Sequence, residues 1–213
     1  MRNGLRIATR YVENHRDPTV VELYLPFPVA NPNLRSEQSS TTELTVGWRP
    51  APRLEVEVTG YRTLAHDYIR TLGAYPAFER ANIDRVDLKG IEALVRARIW
   101  GPFSMRLTGA PTDVGPYTAQ TPARTATGSL LYDDGTLRIA LTWFYAGGLY
   151  QMDFRQGKLA DPWELGARVD RVFDKGKVRA WITARNLTNH RYAFIADYPM
   201  PGFNTLVGLE LVR

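Results

Sequence analysis

The chain has three histidines, His15, His66 and His190, and they stand far apart in the sequence. No two have the spacing of a metal-ligand or acid–base pair, and each falls in a different predicted loop, where a solvated ring is expected. There is no cysteine, which removes disulfides, thiolate metal sites and a cysteine nucleophile. Nucleophile-elbow, zinc-protease, phosphate-loop and dinucleotide fingerprints are absent from the sequence. Glu55 and Glu57 share one strand face and have the residue types of an acid–base pair. Lining a polar lumen is the better reading of them. The chain is thus expected to bind rather than to catalyse, with no enzyme activity, no cofactor and no metal site. The side chains suited to binding are aromatic and basic residues in the long connections: Tyr75, Phe78, Tyr117, Tyr150, Phe154, Arg155 and Tyr198. Their rings offer apolar area with a polar handle to a large, partly apolar ligand such as a metal chelate. Loop-on-loop packing is the alternative for each.

These residues need a rigid frame, and the frame is written in period two. Leu44, Val46 and Trp48 alternate with Thr45, Gly47 and Arg49. Ile91, Ala93, Val95, Ala97 and Ile99 alternate with Glu92, Arg96 and Arg98. Leu137, Ile139, Leu141 and Trp143 alternate with Arg138, Ala140 and Thr142, and Val207, Leu209 and Leu211 with Gly208 and Glu210. This pattern predicts ten strands, about 5–12, 42–50, 54–65, 81–100, 103–109, 123–132, 136–146, 163–173, 178–187 and 204–212. Short turn sequences at Pro50-Ala51-Pro52, Gly101-Pro102, Asp133-Asp134-Gly135 and Asp174-Lys175-Gly176 take turns with long irregular stretches, roughly 13–41, 66–80, 110–122, 147–162 and 188–203. Short turns at one end and long loops at the other are the habit of a transmembrane β-barrel. A β-sandwich has no reason to keep so strict an alternation.

Charged residues such as Glu55, Glu57, Arg96, Arg106, Arg138 and Arg179 fall opposite the apolar row. That face is either a polar lumen or the outside of a soluble sandwich, and alternation by itself allows both. Tyr11, Trp48, Trp100, Tyr132, Trp143, Tyr145 and Trp163 lie near strand ends, as the aromatic girdles of a membrane barrel do. No stretch approaches the roughly 18 consecutive apolar residues of a membrane helix. A mean hydropathy of -0.29 is what half-apolar strands produce. The net charge of +5 is spread without a basic block, which speaks against nucleic acid and suits an acidic lipopolysaccharide surface. Met1 to Leu5 carries no apolar signal-peptide core. The whole chain, 1–213, is expected to form a single region.

Several segments, in order, resemble the TonB-dependent outer-membrane receptors, with the strongest likeness to the cobalamin and siderophore branch. Arg16-Asp17-Pro18-Thr19-Val20-Val21-Glu22-Leu23-Tyr24 is similar to the family's "RAPTLxELY" segment. Asn31-Pro32-Asn33-Leu34-Arg35-Ser36-Glu37 is similar to its "NPNLxPE" box. Tyr61 to Ile69, Asn82 and Gly90-Ile91-Glu92 follow its "Y…dlI…N…GvE" run, and Asn186 to Tyr192 its "NLfdkxY" motif. Ser36 stands where the family has proline, and Arg213 where it has a terminal aromatic that the resemblance implies helps outer-membrane assembly.

The resemblance implies an all-β meander of about ten antiparallel strands, half of a barrel of about 22 strands, in the bacterial outer membrane. It implies a plug domain and an energy-coupling segment that this stretch lacks. It further implies uptake of iron–siderophore or cobalamin-type ligands driven by the TonB system through the plug, with lipid and lipopolysaccharide around the wall. In such a setting the Asn186-Leu187-Thr188 sequon is incidental. The competing expectations are a soluble all-β carbohydrate-binding module and a small stand-alone outer-membrane barrel.

Overall fold

A computed structural model describes residues 4–25, 29–74 and 77–211. The alternating segments become β1 (Gly4–Arg16), β2 (Glu37–Ala51), β3 (Leu54–Ala74), β4 (Ala77–Trp100), β5 (Phe103–Asp113), β6 (Arg124–Asp133), β7 (Leu137–Gly147), β8 (Trp163–Phe173), β9 (Val178–Arg185) and, after a small hairpin of β10 (Ala193–Ile195) and β11 (Tyr198–Pro199), β12 (Asn204–Leu211). A short α-helix, α1 (Val20–Tyr24), follows β1, and a 3-10 turn at Asp174–Gly176 joins β8 to β9. Ten strands form one antiparallel sheet in chain order, β1 to β9 and then β12. β1 and β12 are its two edges and do not pair with each other, so the wall is open.

Register turns the alternation of each strand into a continuous face, because directly paired residues point the same way. Ile7, Val46, Val58 and Ala93 lie in one cross-strand line, and Leu130, Leu141 and Ala167 in another. This apolar row is open to the surroundings: Leu5, Leu44, Trp48, Leu141, Ile182 and Leu209 are all exposed, Leu209 by 69%. In a soluble sandwich the same row would be the interior. An apolar face of this extent belongs against lipid. The buried apolar residues, Leu34, Ala65, Ile69, Val86, Val114, Ala146, Leu149 and Tyr192, lie instead at the long-loop end.

Aromatic rings mark both borders of the row. Near the short turns Trp100 stacks on Phe103 at 6.3 Å, and Phe103 meets Tyr132 edge-on at 5.1 Å. Tyr11, Tyr145 and Trp163 stand at the other border. Between them Trp143 lies across Gly128, where an added Cβ would fall 1.8 Å from Nε1 of the indole. This glycine has a packing reason, since the ring covers the bare backbone of the neighbouring strand. Gly128→Leu is expected to lift Trp143 and loosen the β6–β7 pair, costing about 1–3 kcal/mol. Urea titration of the protein in micelles measures it, and a midpoint equal to the parent's would refute the packing role.

The opposite row is polar and paired. Arg6 bonds Glu57 at 2.6 Å, Arg10 approaches Glu43 at 3.7 Å, and Thr45 bonds Thr59 at 2.9 Å. Asp170, with its side chain 5% exposed, holds Arg168 at 2.8 Å and Arg179 at 2.9 Å. Glu55 takes Arg49 and Arg96, so Glu55 and Glu57 serve arginines and not each other. This is lumen lining.

Strand limits differ from the sequence expectation mainly at the loop end. Of the stretch 66–80, expected as an irregular loop, residues 66–74 and 77–80 belong to the paired strands β3 and β4, with Tyr68↔Ile83 and Leu72↔Glu79 in register. Beyond the lipid-facing row both faces of this hairpin are mixed in polarity, so alternation fades from the sequence. For the same reason His15 and His66, expected in loops, lie in β1 and β3.

At the short-turn end Asp134 folds the β6–β7 turn around its carboxylate. It accepts the N–H groups of Leu137 (2.8 Å) and Thr136 (2.9 Å) and the hydroxyls of Thr136 and Tyr132. The two backbone donors, Leu137 first, hold its carboxyl far below the usual range. A depressed folded pKa stabilises the turn at all pH above the ordinary aspartate value of about 3.9, and that contribution fades as pH falls below it. Amide exchange at Thr136 and Leu137 should therefore quicken relative to Leu141 between about pH 4 and pH 2. A flat ratio across that range would count against the carboxylate as the turn's clasp.

Candidate ligand-binding loops

The distal part of the β3–β4 hairpin, beyond the lipid-facing row, is a blade with both faces covered. Ile69 and Asn82 are paired across it and share one face, while Arg70 and Ala81 share the other. Residues 17–25 and 29–36 pack on the first. Thr19 and Glu22 form a reciprocal capping box that starts α1. Arg16 forks between Glu37 (2.6 Å) and Glu22 (3.1 Å), and Glu37 accepts the Ile69 N–H at 2.6 Å. The Asn82 amide trades bonds with the Arg35 backbone in both directions and donates to the Asp67 carbonyl. Leu34 is buried in this segment, as are Ala65, Ile69 and Val86 on the blade, where Ala65 and Val86 are direct partners. Ser36, where the resembled family has proline, donates to Asp17 at 2.6 Å and, with His15, lowers the pKa of that carboxyl.

The second face of the blade receives two loops. Arg70 makes a two-pronged ion pair with Asp153, its Nε at 2.7 Å. The two side chains are only 19% and 15% exposed. The same guanidinium lies 5.4 Å from the centroid of the Tyr117 ring. Asp153 also accepts the Ala119 N–H at 2.9 Å. Around this pair loops 114–122 and 148–162 are laced together: Phe154 N–H to the Pro116 carbonyl at 2.6 Å, Arg155 N–H to Thr118 Oγ1 at 2.9 Å, and Gln120 N–H to the Tyr150 carbonyl at 2.8 Å. Leu149 and Pro162 are fully buried beneath. Asp161 ends the second loop by accepting Tyr145 Oη–H at 2.8 Å and Gly148 N–H at 3.1 Å, which lower its pKa.

Four of the residues singled out by type therefore come together. Tyr117 packs against Phe154 at 6.4 Å, with Arg155 next in chain and Tyr150 bridging the two loops through its backbone. Phe154 and Arg155 both adopt left-handed backbone, φ +56° and +58°. Two successive non-glycine residues there store about 1–2 kcal/mol each, and such strain gathers at ligand clamps and switches. The turn leaves both side chains exposed, Phe154 by 64%. Tyr198 is exposed on the β10–β11 hairpin, whose loop is joined to 148–162 by Ala196 N–H on Gln151 Oε1 at 2.8 Å. Phe78 sits on β4 opposite Gly73, with no ring partner among the described residues. Tyr75 and the terminal Arg213 lie outside the described residues.

Loop 188–203 rises from a buried latch. Asn186, fully buried, donates to the carbonyls of His190 (2.9 Å) and Pro201 (3.1 Å) and accepts the His190 N–H at 2.8 Å. Burial also puts the sequon asparagine out of reach of any modifying enzyme. His190, expected to be solvated, is instead stacked between Trp163 at 4.5 Å and Tyr192 at 5.9 Å. Tyr192 in turn meets Phe194 edge-on at 5.7 Å, and Phe194 lies tilted 5.9 Å from Phe144. Burial, followed by its bond to Glu164, pushes the Tyr192 hydroxyl up to about 12. Sequence reasoning missed Arg70 and Asp153, which are 83 positions apart and have nothing in their local pattern to connect them.

An open antiparallel wall with a lipid-facing apolar row, a salt-bridged polar row and long, mutually bonded loops at one end is a segment of an outer-membrane β-barrel. The family model described as "TonB dependent receptor-like, beta-barrel" matches residues 3–199, and the chain belongs to that family of bacterial outer-membrane transport receptors. Among solved structures it is similar to the copper transporter OprC (TM-score 0.82, 14% identity, 97% of this chain and 37% of that one). It is also similar to the siderophore receptor PirA from Acinetobacter baumannii (TM-score 0.77, 12% identity, 96% and 38%). A third match is the ferric enterobactin receptor PfeA from Pseudomonas aeruginosa, in complex with enterobactin (TM-score 0.74, 14% identity, 97% and 38%). The chain thus spans less than two-fifths of each. No curated protein sequence matches it.

Proposed function

We propose that this chain is the barrel-wall and loop portion of a receptor that imports an iron–siderophore or similar metal chelate, cobalamin-type ligands being the alternative cargo. The observation that carries the reading is the platform of loops 114–122 and 148–162, which holds Tyr117, Phe154 and Arg155 in one place above the wall. Aromatic faces beside the exposed Arg155 guanidinium suit an anionic chelate with aromatic donor groups. Phe78, Tyr75, Tyr150 and Tyr198 would widen that contact. The resemblance adds a plug and the TonB system as the source of the opening motion, with no catalytic step in this segment. Lipid covers the apolar row, and the Arg62–Asp87 (2.6 Å) and Lys89–Asp113 (3.5 Å) pairs above it suit a lipopolysaccharide headgroup layer.

The test is a titration of the full chain in neutral-detergent micelles with a ferric tris-catecholate complex, with cyanocobalamin in a parallel series, read by quenching of tyrosine and tryptophan fluorescence. Saturable quenching by the ferric complex that Y117A/F154A abolishes is expected. Quenching by cobalamin alone would transfer the proposal to that cargo, and none by either would overturn it.

A further inference from the structure

On the lumen side nearly every arginine has a carboxylate. Arg6, Arg10, Arg16, Arg138, Arg168, Arg179 and Arg185 each have one within 4.0 Å. Among the described residues of the wall, arginines without a carboxylate gather at the short-turn end. At the short-turn end of β2 to β6 a concavity of about 490 Å³ is lined by Arg49, Arg53, Arg96, Arg98 and Arg106, with Glu55 its sole acid. Glu55 is already shared between Arg96 at 3.5 Å and Arg49 at 3.6 Å. Among the described residues Arg53, Arg98 and Arg106 have no carboxylate partner.

Register makes the excess worse, because Arg96 and Arg106 are direct cross-strand partners. Like charges placed opposite each other destabilise a strand pair. The nearest free acid on the same face, Glu92, is four residues up β4 from Arg96, about 13 Å away along the strand. Arg106 shares a neighbouring concavity with Glu57 and Glu92, yet Glu57 is bonded to Arg6 and among the described residues no carboxylate lies within 4.0 Å of Arg106.

We propose that the patch docks an acidic stretch of polypeptide seated in the lumen, with several carboxylates along one run. Charge complementarity selects an anion, and the guanidinium fork suits carboxylates. Width selects a chain over a small ion. From β2 to β5 there are three strand spacings, about 14 Å, more than one phosphate can bridge. Lipid is excluded, since it meets the opposite row. The short-turn end faces the periplasm in barrels of this kind, so the acidic stretch engages the wall there and not among the ligand-binding loops. The proposal needs only that the inward row is a lumen, so it stands or falls separately from the cargo reading.

The experiment uses the full chain in neutral-detergent micelles at low salt, a fluorescein-labelled peptide with six consecutive glutamates, and its six-glutamine counterpart, read by anisotropy. Saturable binding of the glutamate peptide alone is expected, weakened about tenfold or more in R98Q/R106Q and changed less than about twofold in R185Q at the loop end of the same face. R98K/R106K, which keeps the charge, should restore most of the binding. Circular dichroism checks each variant for β-structure, and single R106Q replaces the double variant if that one does not fold. Equal binding to the parent and the glutamine variants overturns the proposal, as does saturable binding of the glutamine peptide or no binding at all. Displacement by inorganic phosphate at matched charge would reduce the patch to a small-anion site and overturn it too.

Discussion

Asp153→Ala is expected to be the most damaging single change at the loop end, costing about 3–5 kcal/mol. It leaves the Arg70 guanidinium largely buried with no counter-charge, since each partner is less than one-fifth exposed. It also removes the acceptor of the Ala119 N–H, so both loops lose their anchor on the β3–β4 blade in one step. Hydrogen exchange should then show loops 114–122 and 148–162 opening together while β6 and β7 keep their protection. The Tyr117–Phe154 contact depends on that anchor, so chelate binding should fall with it. The double change R70L/D153L removes both charges and should recover much of the stability without recovering the fork. If D153A and the parent exchange alike in both loops, the ion pair is not what holds them.

Asn186→Ala is expected to release the last long loop at a cost of about 2–4 kcal/mol, because the three bonds of a buried amide disappear and leave two carbonyls and one N–H unanswered. The backbone adds to it: φ at this position is +50°, a conformation asparagine tolerates better than alanine. Loop 188–203 carries Tyr198 and the His190–Tyr192–Phe194 ring cluster. Limited proteolysis should therefore gain a cut in that loop while the sheet survives. Asn186→Asp keeps the acceptor and loses the donor, and should fall between the two. Protease resistance equal to the parent's in Asn186→Ala would remove the latch from the account.

Much of this was legible in the residues. Period two identified all ten wall strands, because a sheet with one apolar and one polar face must repeat that way. The motif run gave the family, and aromatic positions such as Trp100, Tyr132 and Tyr145 lie at the borders of the apolar row as their places near strand ends suggested. Residue type selected seven loop residues, Tyr75, Phe78, Tyr117, Tyr150, Phe154, Arg155 and Tyr198, and of these Tyr117, Tyr150, Phe154 and Arg155 meet on loops 114–122 and 148–162.

Three things needed the fold. Alternation is the same for a row that faces lipid and a row that faces a core, so only the open exposure of Leu44, Leu141 and Leu209 separated a membrane wall from a soluble sandwich. The β3–β4 blade was invisible because its two faces are covered by different partners, residues 17–25 and 29–36 on one side and the later loops on the other, which erases the local contrast that marks a strand. The charges of Arg70 and Asp153, and of Arg96 beside Arg106, acquire meaning only through register and loop closure across many positions. Local pattern fixes which way a side chain points along its own strand. Which charge it meets is set by neighbours far away in sequence, and only the tertiary structure supplies those.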